Sequence, residues 1–214
     1  MFRRARYELL ADVGALGPDQ QPGHGHADTF SFVLYVDDRP LLVDAGTSTY
    51  EPGQRRQWER STAAHNTVEI AGQNSSEVWA TFRVGRRARV SVLTDTETTL
   101  TARHDGYRHL GLVHERSWTL EPACIQLTDR ILYPRKTRRH PALARFHAHP
   151  DVPACLTDEG VVLGSARVRF ASDEPLTIRL TDYPMADGFN RLRPGLCVEV
   201  GFTTYLTTTI FATA

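Results

Sequence analysis

Residues 30–43 read FSFVLYVDDRPLLV. Two runs rich in Phe, Val, Leu and Tyr, Phe30–Val36 and Pro40–Val43, flank Asp37-Asp38. Each run is too short for a helix and suits a pleated, half-buried surface, and paired aspartates are turn residues. The stretch therefore reads as a β-hairpin. The same pattern recurs outward at Thr67–Ile70, Arg87–Leu93, Thr98–Arg103, Leu112–Leu120, Ile125–Leu132, Val161–Phe170, Leu176–Leu180 and Leu196–Phe211. Between or beside these runs lie Gly72-Gln73-Asn74, Asp105-Gly106, Glu121-Pro122, Asp158-Glu159-Gly160, Asp187-Gly188 and Pro194-Gly195, all with turn chemistry. Many short strands with regular turns predict an all-β sandwich or barrel, mostly antiparallel. Only Gln54–Arg60, with Pro52 just ahead, has room for a couple of helical turns.

The chain has 214 residues, a length that fits one large all-β domain. Hydrophobic residues make up 41% and charged ones 23%, enough apolar surface for a real core and too much for a disordered chain. The formal net charge is zero, so no global basic field attracts nucleic acid or an anionic membrane. Lys136 is the sole lysine, so arginine carries nearly all the positive charge, and arginine suits bidentate contact with carboxylate or sulfate. The dense basic run Pro134–His140 reads as a solvated loop. Cys124, Cys155 and Cys197 are far apart and odd in number, which predicts buried free thiols rather than a disulfide framework. No apolar run reaches the ~20 residues of a membrane-spanning helix. The start, MFRRARYELLADVG, has no apolar leader core, so the expected location is the cytoplasm as written, or the cell envelope or periplasm for a piece of a secreted parent.

The chemistry concentrates in Gly23–Phe32, GHGHADTFSF. On a strand His24 and His26 would share a face, and two imidazoles on one side are a start for a metal site. Gly23 and Gly25 leave room for close backbone approach. Further ligands must come from elsewhere: Asp44 ends LLVDAG and His65 sits in STAAHNT. Asp28 suits a supporting role, holding an imidazole by its other N–H. Cupin barrels also use such a histidine pair, but their acidic residue a few positions on and their late histidine block have no counterpart here.

GHGHADTFSFVLYVDDRPLLVDAGTSTY followed by RSTAAHNTVEIAGQNSSE resembles the β-sandwich part of heparinase II/III-like polysaccharide lyases and their alginate lyase relatives. The HDGY of His104–Tyr107, the HER of His114–Arg116 and RFHAHPDV (Arg145–Val152) are similar to that family too. The resemblance implies a large antiparallel β-sandwich with few short helices over residues 1–214. It implies a zinc ion, or another divalent metal, on His26, Asp44 and His65, with His24 facing substrate and Tyr50 as an active-site tyrosine. The implied reaction is β-elimination at a uronic acid in an acidic polysaccharide, for which imidazole and phenol can carry protons. Arg55, Arg56 and Arg60 lie between two of these ligands and could steady the developing charge, although a solvated helix face is the expectation for at least two of them. Full-length relatives are similar in having an N-terminal α/α-toroid that forms the other wall of the cleft. No long amphipathic helical segment is present, so the expectation is a piece of a longer protein or a partner of a separate toroid chain. A non-catalytic, metal-stabilised module that binds glycan or a partner chain is the alternative. Heparin, heparan, alginate and bacterial exopolysaccharides all remain open as the glycan.

Overall fold

Residues 1–134 and 138–213 are described in a computed structural model of the chain. Strands β1 (Phe2–Arg4), β2 (Tyr7–Ala11), β3 (Phe32–Val36) and β4 (Arg39–Leu42) pair antiparallel in that order. The opening hairpin is β3–β4, and Asp37 and Asp38 turn it with φ of 51° and 59°. Those left-handed values match the twist of a tight hairpin, and aspartate tolerates them better than most side chains.

The chain then runs through helix α1 (Gln54–Glu59), β5 (Val68–Ile70), the small hairpin β6 (Val78–Trp79) and β7 (Arg83–Val84), β8 (Val90–Asp95), β9 (Thr99–His104), β10 (Val113–Leu120) and β11 (Ile125–Leu132). It continues with β12 (Ala142–His147), β13 (Ala154–Thr157), β14 (Gly160–Leu163), β15 (Ala166–Ala171), β16 (Thr177–Ala186), β17 (Leu192–Phe202) and β18 (Tyr205–Ala212). One face of the sandwich is an eight-stranded sheet in the order β13-β14-β15-β18-β11-β10-β9-β8. The other is assembled from the β1–β4 sheet and a second four-stranded sheet, β16-β17-β12-β5. These two sheets meet along a short seam: an isolated Leu42–Ala148 bridge, with Val43 N–H donating to His147 O (2.9 Å) and His149 N–H to Leu41 O (3.0 Å). The main core lies between the faces. It is built from alternate residues such as Leu34, Phe32, Trp118, Leu127, Phe146, Val198 and Ile210. A small second cluster of Ala45, Ala64, Tyr183 and Cys197 packs apart from it.

The all-β sandwich agrees with the period-two reading, and α1 falls where Pro52 and the polar run placed it. The two long runs read as single strands differ. Val161–Phe170 is a hairpin, β14–β15, and Leu196–Phe211 holds the end of β17 and β18 with Thr203-Thr204 between them. In the basic run Pro134–His140, residues 135–137 lie outside the described residues. The thiols are free, as expected, but only Cys197 is buried: Cys124 is half-buried, and Cys155 is exposed on the edge strand β13.

Candidate active site

The site gathers where the loop after β2 and the segment after β4 meet the loop ahead of β5. The HGH triplet is not a strand: His24 closes a short 3-10 turn, Pro22–His24, and Gly25 follows in extended backbone. The histidines therefore part company, which corrects the expectation of a shared face. His24 is exposed, edge-on to Tyr50 (5.4 Å between ring centres, 75°) and 5.6 Å from Phe82. His26 turns inward, its ring 5.3 Å from that of His65. Gly25 gives the room this needs, since a Cβ there would come within 2.2 Å of Leu16 Cδ2 and 3.1 Å of Pro22 O.

His65 is buried, and its Nδ1–H donates to Asp44 Oδ2 at 2.6 Å. Asp44 in turn accepts the Gly46 N–H at 2.8 Å, in a tight turn where Gly46 has a φ of +75°. Burial alone would lower the His65 pKa, but the Asp44 carboxylate, with Asp28 and Asp12 behind it, outweighs burial and raises it. Burial would raise Asp44, and the His65 imidazole with the Gly46 N–H overturns that and holds it below the ordinary carboxylate range. Asp28 is pushed up to about 6, by burial first and by the nearby Asp12 and Asp44 charges. His26 is held down at about 3 by burial and by His65 and Arg56. It is therefore neutral, and its Nε2 accepts from Arg56 Nη1 at 3.2 Å.

Ligand-type atoms of His26, Asp28 and His65 all lie within 4.8 Å of one another. The Nε2 of His65 is buried with no hydrogen-bond partner among the described residues. Two imidazoles and the Asp28 carboxylate form a donor set suited to zinc, with Asp44 hydrogen-bonded to His65 Nδ1 beside it, and an orphaned imidazole nitrogen is an observation a metal would explain. Asp28 thus stands closer to the cluster than its supporting role anticipated.

For at least two of the three arginines the sequence predicts a solvated helix face. Arg55 is exposed and reaches Asn190 Oδ1 at 3.3 Å, but Arg56 and Arg60 are each only 1% exposed, which overturns that expectation for two of the three. Arg56 faces inward from α1, where its Nη1 donates to His26 Nε2 (3.2 Å) and Thr47 Oγ1 (3.3 Å), and Arg60, just past the helix, gives its N–H groups to backbone carbonyls. Arg56 lies over the Tyr50 ring (5.0 Å to its centre), and its Nε and Nη2 have no partner among the described residues. His24, His26, Asp28, Thr47, Tyr50 and Arg56 line one cleft of about 410 Å³.

Two further residues hold the site; both lie in motifs that the sequence offers, but the sequence assigns neither a role. Asn66 Nδ2 donates to Phe32 O (2.8 Å) and Val43 O (2.9 Å), and its Oδ1 accepts from the His147 N–H (2.6 Å). From the opposite face, buried Arg116 sends Nη1 to Phe30 O (2.9 Å) and Asn66 O (2.8 Å), and its Nε and Nη2 to Asp129 at 2.7 and 2.9 Å. His114 Nε2 donates to Asp129 Oδ1 (2.7 Å), and His104 Nε2 lies 3.0 Å from His114 Nδ1. The HNT and HER motifs therefore hold the architecture of the site, and Tyr107 is buried with its hydroxyl on Val68 O (2.9 Å). His147 packs edge-on to Tyr183 (4.6 Å) and is buried away from the cleft.

The chain is thus a two-layer β-sandwich with a histidine–carboxylate cluster at its loops, beside an exposed histidine and tyrosine. The chain belongs to the family described as Heparinase II/III-like, C-terminal, which it matches over residues 1–205. The solved structure of heparan sulfate lyase HepC from Pedobacter heparinus has a TM-score of 0.74 at 14% identity, over 95% of this chain and 32% of that one. A heparinase III structure has a TM-score of 0.75 at 18% identity, over 98% of this chain and 36% of that one. The heparinase III BT4657 gene product gives 0.71 at 15% identity, over 99% and 35%. At such identities the likeness is one of fold, and the chain spans about a third of the length of these solved relatives. No curated protein matches it in sequence.

Proposed function

We propose that the chain is the sandwich wall of a polysaccharide lyase that cleaves uronate-containing glycans by β-elimination, with a helical toroid supplying the other wall. The observation that carries this reading is the arrangement of exposed His24 and Tyr50 beside the inward cluster of His26, Asp28, Asp44 and His65. Zinc is the metal that best suits this donor set, held by His26, His65 and Asp28, with Asp44 orienting His65 through its Nδ1–H in place of the direct ligand role that the family resemblance implies. Its contribution when bound is positive charge and a fixed anchor for the loop that carries His24. The elimination breaks the C5–H and C4–O bonds and forms the C4=C5 double bond; one proton leaves C5 for a base, and the departing O4 takes one from an acid. His24 faces the cleft and receives the C5 proton, and the neighbouring Tyr50 hydroxyl protonates O4. Arg56 brings a desolvated positive charge toward the uronate carboxylate, which eases loss of the C5 proton. Alone, the chain holds metal and glycan but turns substrate over slowly, since it owns one side of the cleft.

The test is elemental analysis of the purified chain beside His26→Ala, His65→Ala and His24→Ala. About one zinc per chain, lost in the first two variants and kept in the third, supports the assignment. Turnover at the unsaturated-uronate absorbance, with a toroid polypeptide added, is then lost in His24→Ala alone among metal-loaded proteins. A parent that takes up no metal and gains no stability from added zinc overturns the ligand assignment.

A further inference from the structure

The hairpin β6–β7 is small, yet the chain commits a buried arginine to it. Arg60 Nη1 donates to Trp79 O (3.2 Å) and Ala80 O (3.1 Å), and Nη2 to Arg83 O (3.2 Å) and Gly25 O (3.0 Å). Its Nε also donates to Gly25 O, at 3.3 Å. Every one of these acceptors is a backbone carbonyl, either in the hairpin or in the HGH loop. Burying a guanidinium is costly unless all its N–H groups are satisfied, and here they are satisfied by one task, fixing the hairpin against the loop that carries His24. The hairpin tip carries Phe82, which is 48% exposed.

Phe82 does not stand alone, as a stray surface aromatic would. Its ring is near-parallel to that of Tyr50 (21°, 5.9 Å between centres), and Tyr50 is itself 45% exposed. His24 abuts both rings. Arg56 sits against Tyr50 with unpartnered guanidinium nitrogens, and exposed Arg83 follows Phe82 on the hairpin. The result is an aromatic surface, positively charged at its margin, one ring away from the exposed imidazole. The electron-rich face of an aromatic ring attracts the polarised C–H groups on the flat side of a pyranose. The arginines suit a carboxylate or sulfate on that sugar.

We propose that Phe82 and Tyr50 form a stacking platform for the pyranose next to the unit being cleaved in an anionic glycan, and that Arg60 is the positioning residue that holds Phe82 there. The proposal rests on the lyase-domain reading above. It adds a sugar subsite and a residue, Phe82, that lies in none of the histidine or aspartate motifs.

Saturation-transfer NMR on the full chain tests it, with heparan sulfate fragments, alginate fragments and a neutral glucan oligosaccharide of matching length as probes. Irradiation of the aromatic resonances should label pyranose ring protons of an anionic probe. Phe82→Ala should weaken that binding about tenfold, equivalent to about 1.4 kcal/mol. Phe82→Trp should retain it, and both variants should keep the parent's zinc content and melting temperature. Arg60→Met should lose the aromatic transfer, with Phe82 amide exchange speeding up. A parent that binds an anionic probe equally well with Phe82→Ala overturns the platform, leaves the lyase-domain reading standing and makes the rings a surface for packing against protein. A parent that receives no transfer to any anionic probe overturns both.

Discussion

Replacing Arg116 by leucine is the sharpest test of how this sandwich holds its site. Arg116 is fully buried, and its two ion-paired contacts to Asp129 are 2.7 and 2.9 Å long. Arg116→Leu leaves the Asp129 carboxylate buried with only the His114 N–H, and leaves Phe30 O and Asn66 O without their donor. Breaking a buried pair from one side costs about 3–5 kcal/mol, against a total stability of about 5–15 kcal/mol for a domain. The expected loss in urea unfolding is about 4 kcal/mol with an unchanged m-value, which corresponds to a fall in Tm on the order of 10 °C for a chain of this size. Arg116→Leu with Asp129→Leu removes both charges together and should recover about half of that loss, so the double variant loses about 2 kcal/mol, well short of the sum of the two singles. Recovery stays incomplete because the two carbonyls and the His114 N–H remain unpaired. A single variant that loses less than about 1 kcal/mol, or a double variant whose loss equals the sum of the two singles, would refute the reasoning.

Acid should act on the same network. Asp129 is held at about 2, because Arg116 and His114 outweigh burial. Its contribution of about 2 kcal/mol is therefore complete above pH ~4 and vanishes as the pH falls through ~2, and Asp129→Asn should lack that limb of the stability profile. His104 and His114 are pushed down by burial, so the unfolded chain binds more protons below pH ~6.5. Urea midpoints should accordingly fall between pH 7 and pH 5, and substituting either histidine should flatten the slope. Gly46→Ala forces a Cβ onto a left-handed turn 3.1 Å from Ala186 Cβ, and should cost about 1–2 kcal/mol while weakening zinc retention through Asp44. Saturating zinc at about a hundred times its dissociation constant should stabilise the parent by about 2.7 kcal/mol, and a chelator should reverse the gain in a calorimetric scan.

The fold was legible because strand residues and turn residues alternate so regularly, and Ile125–Leu132 emerged with its bounds intact. What escaped had ordinary physical causes. Thr203-Thr204 makes a turn out of residues that favour strands, so β17 and β18 read as one run. The β1–β2 hairpin turns at Ala5 with a φ of 50°, with no glycine or asparagine to mark it. In the site, His24, His26, Asp44, Tyr50 and His65 were all named from their motifs, and the structure brings them to one region. Their surroundings were not readable. Arg56 and Arg60 look like the polar face of a short helix until the hairpin and the HGH loop close over them. Asn66 and Arg116 act through backbone carbonyls distant in sequence, and nothing in a local pattern announces such partners. Phe82 is a lone aromatic between Thr81 and Arg83 in sequence, and gains its meaning only when the hairpin folds onto Tyr50.

The seam between the two four-stranded sheets has a consequence of its own. Asp44 leaves one plate and His65 enters the other, so their 2.6 Å contact crosses the join, and Asn66 is bolted to both sides. Unlike a continuous ladder, such a join can open slightly without unzipping a strand. A cation gripped from both plates would act as a rivet, and the grip on the ion and the angle between the plates would be two readings of one free energy. Pressure on the far edge of either plate would then be felt as a change in metal affinity, and metal loss as a loosening of the crease.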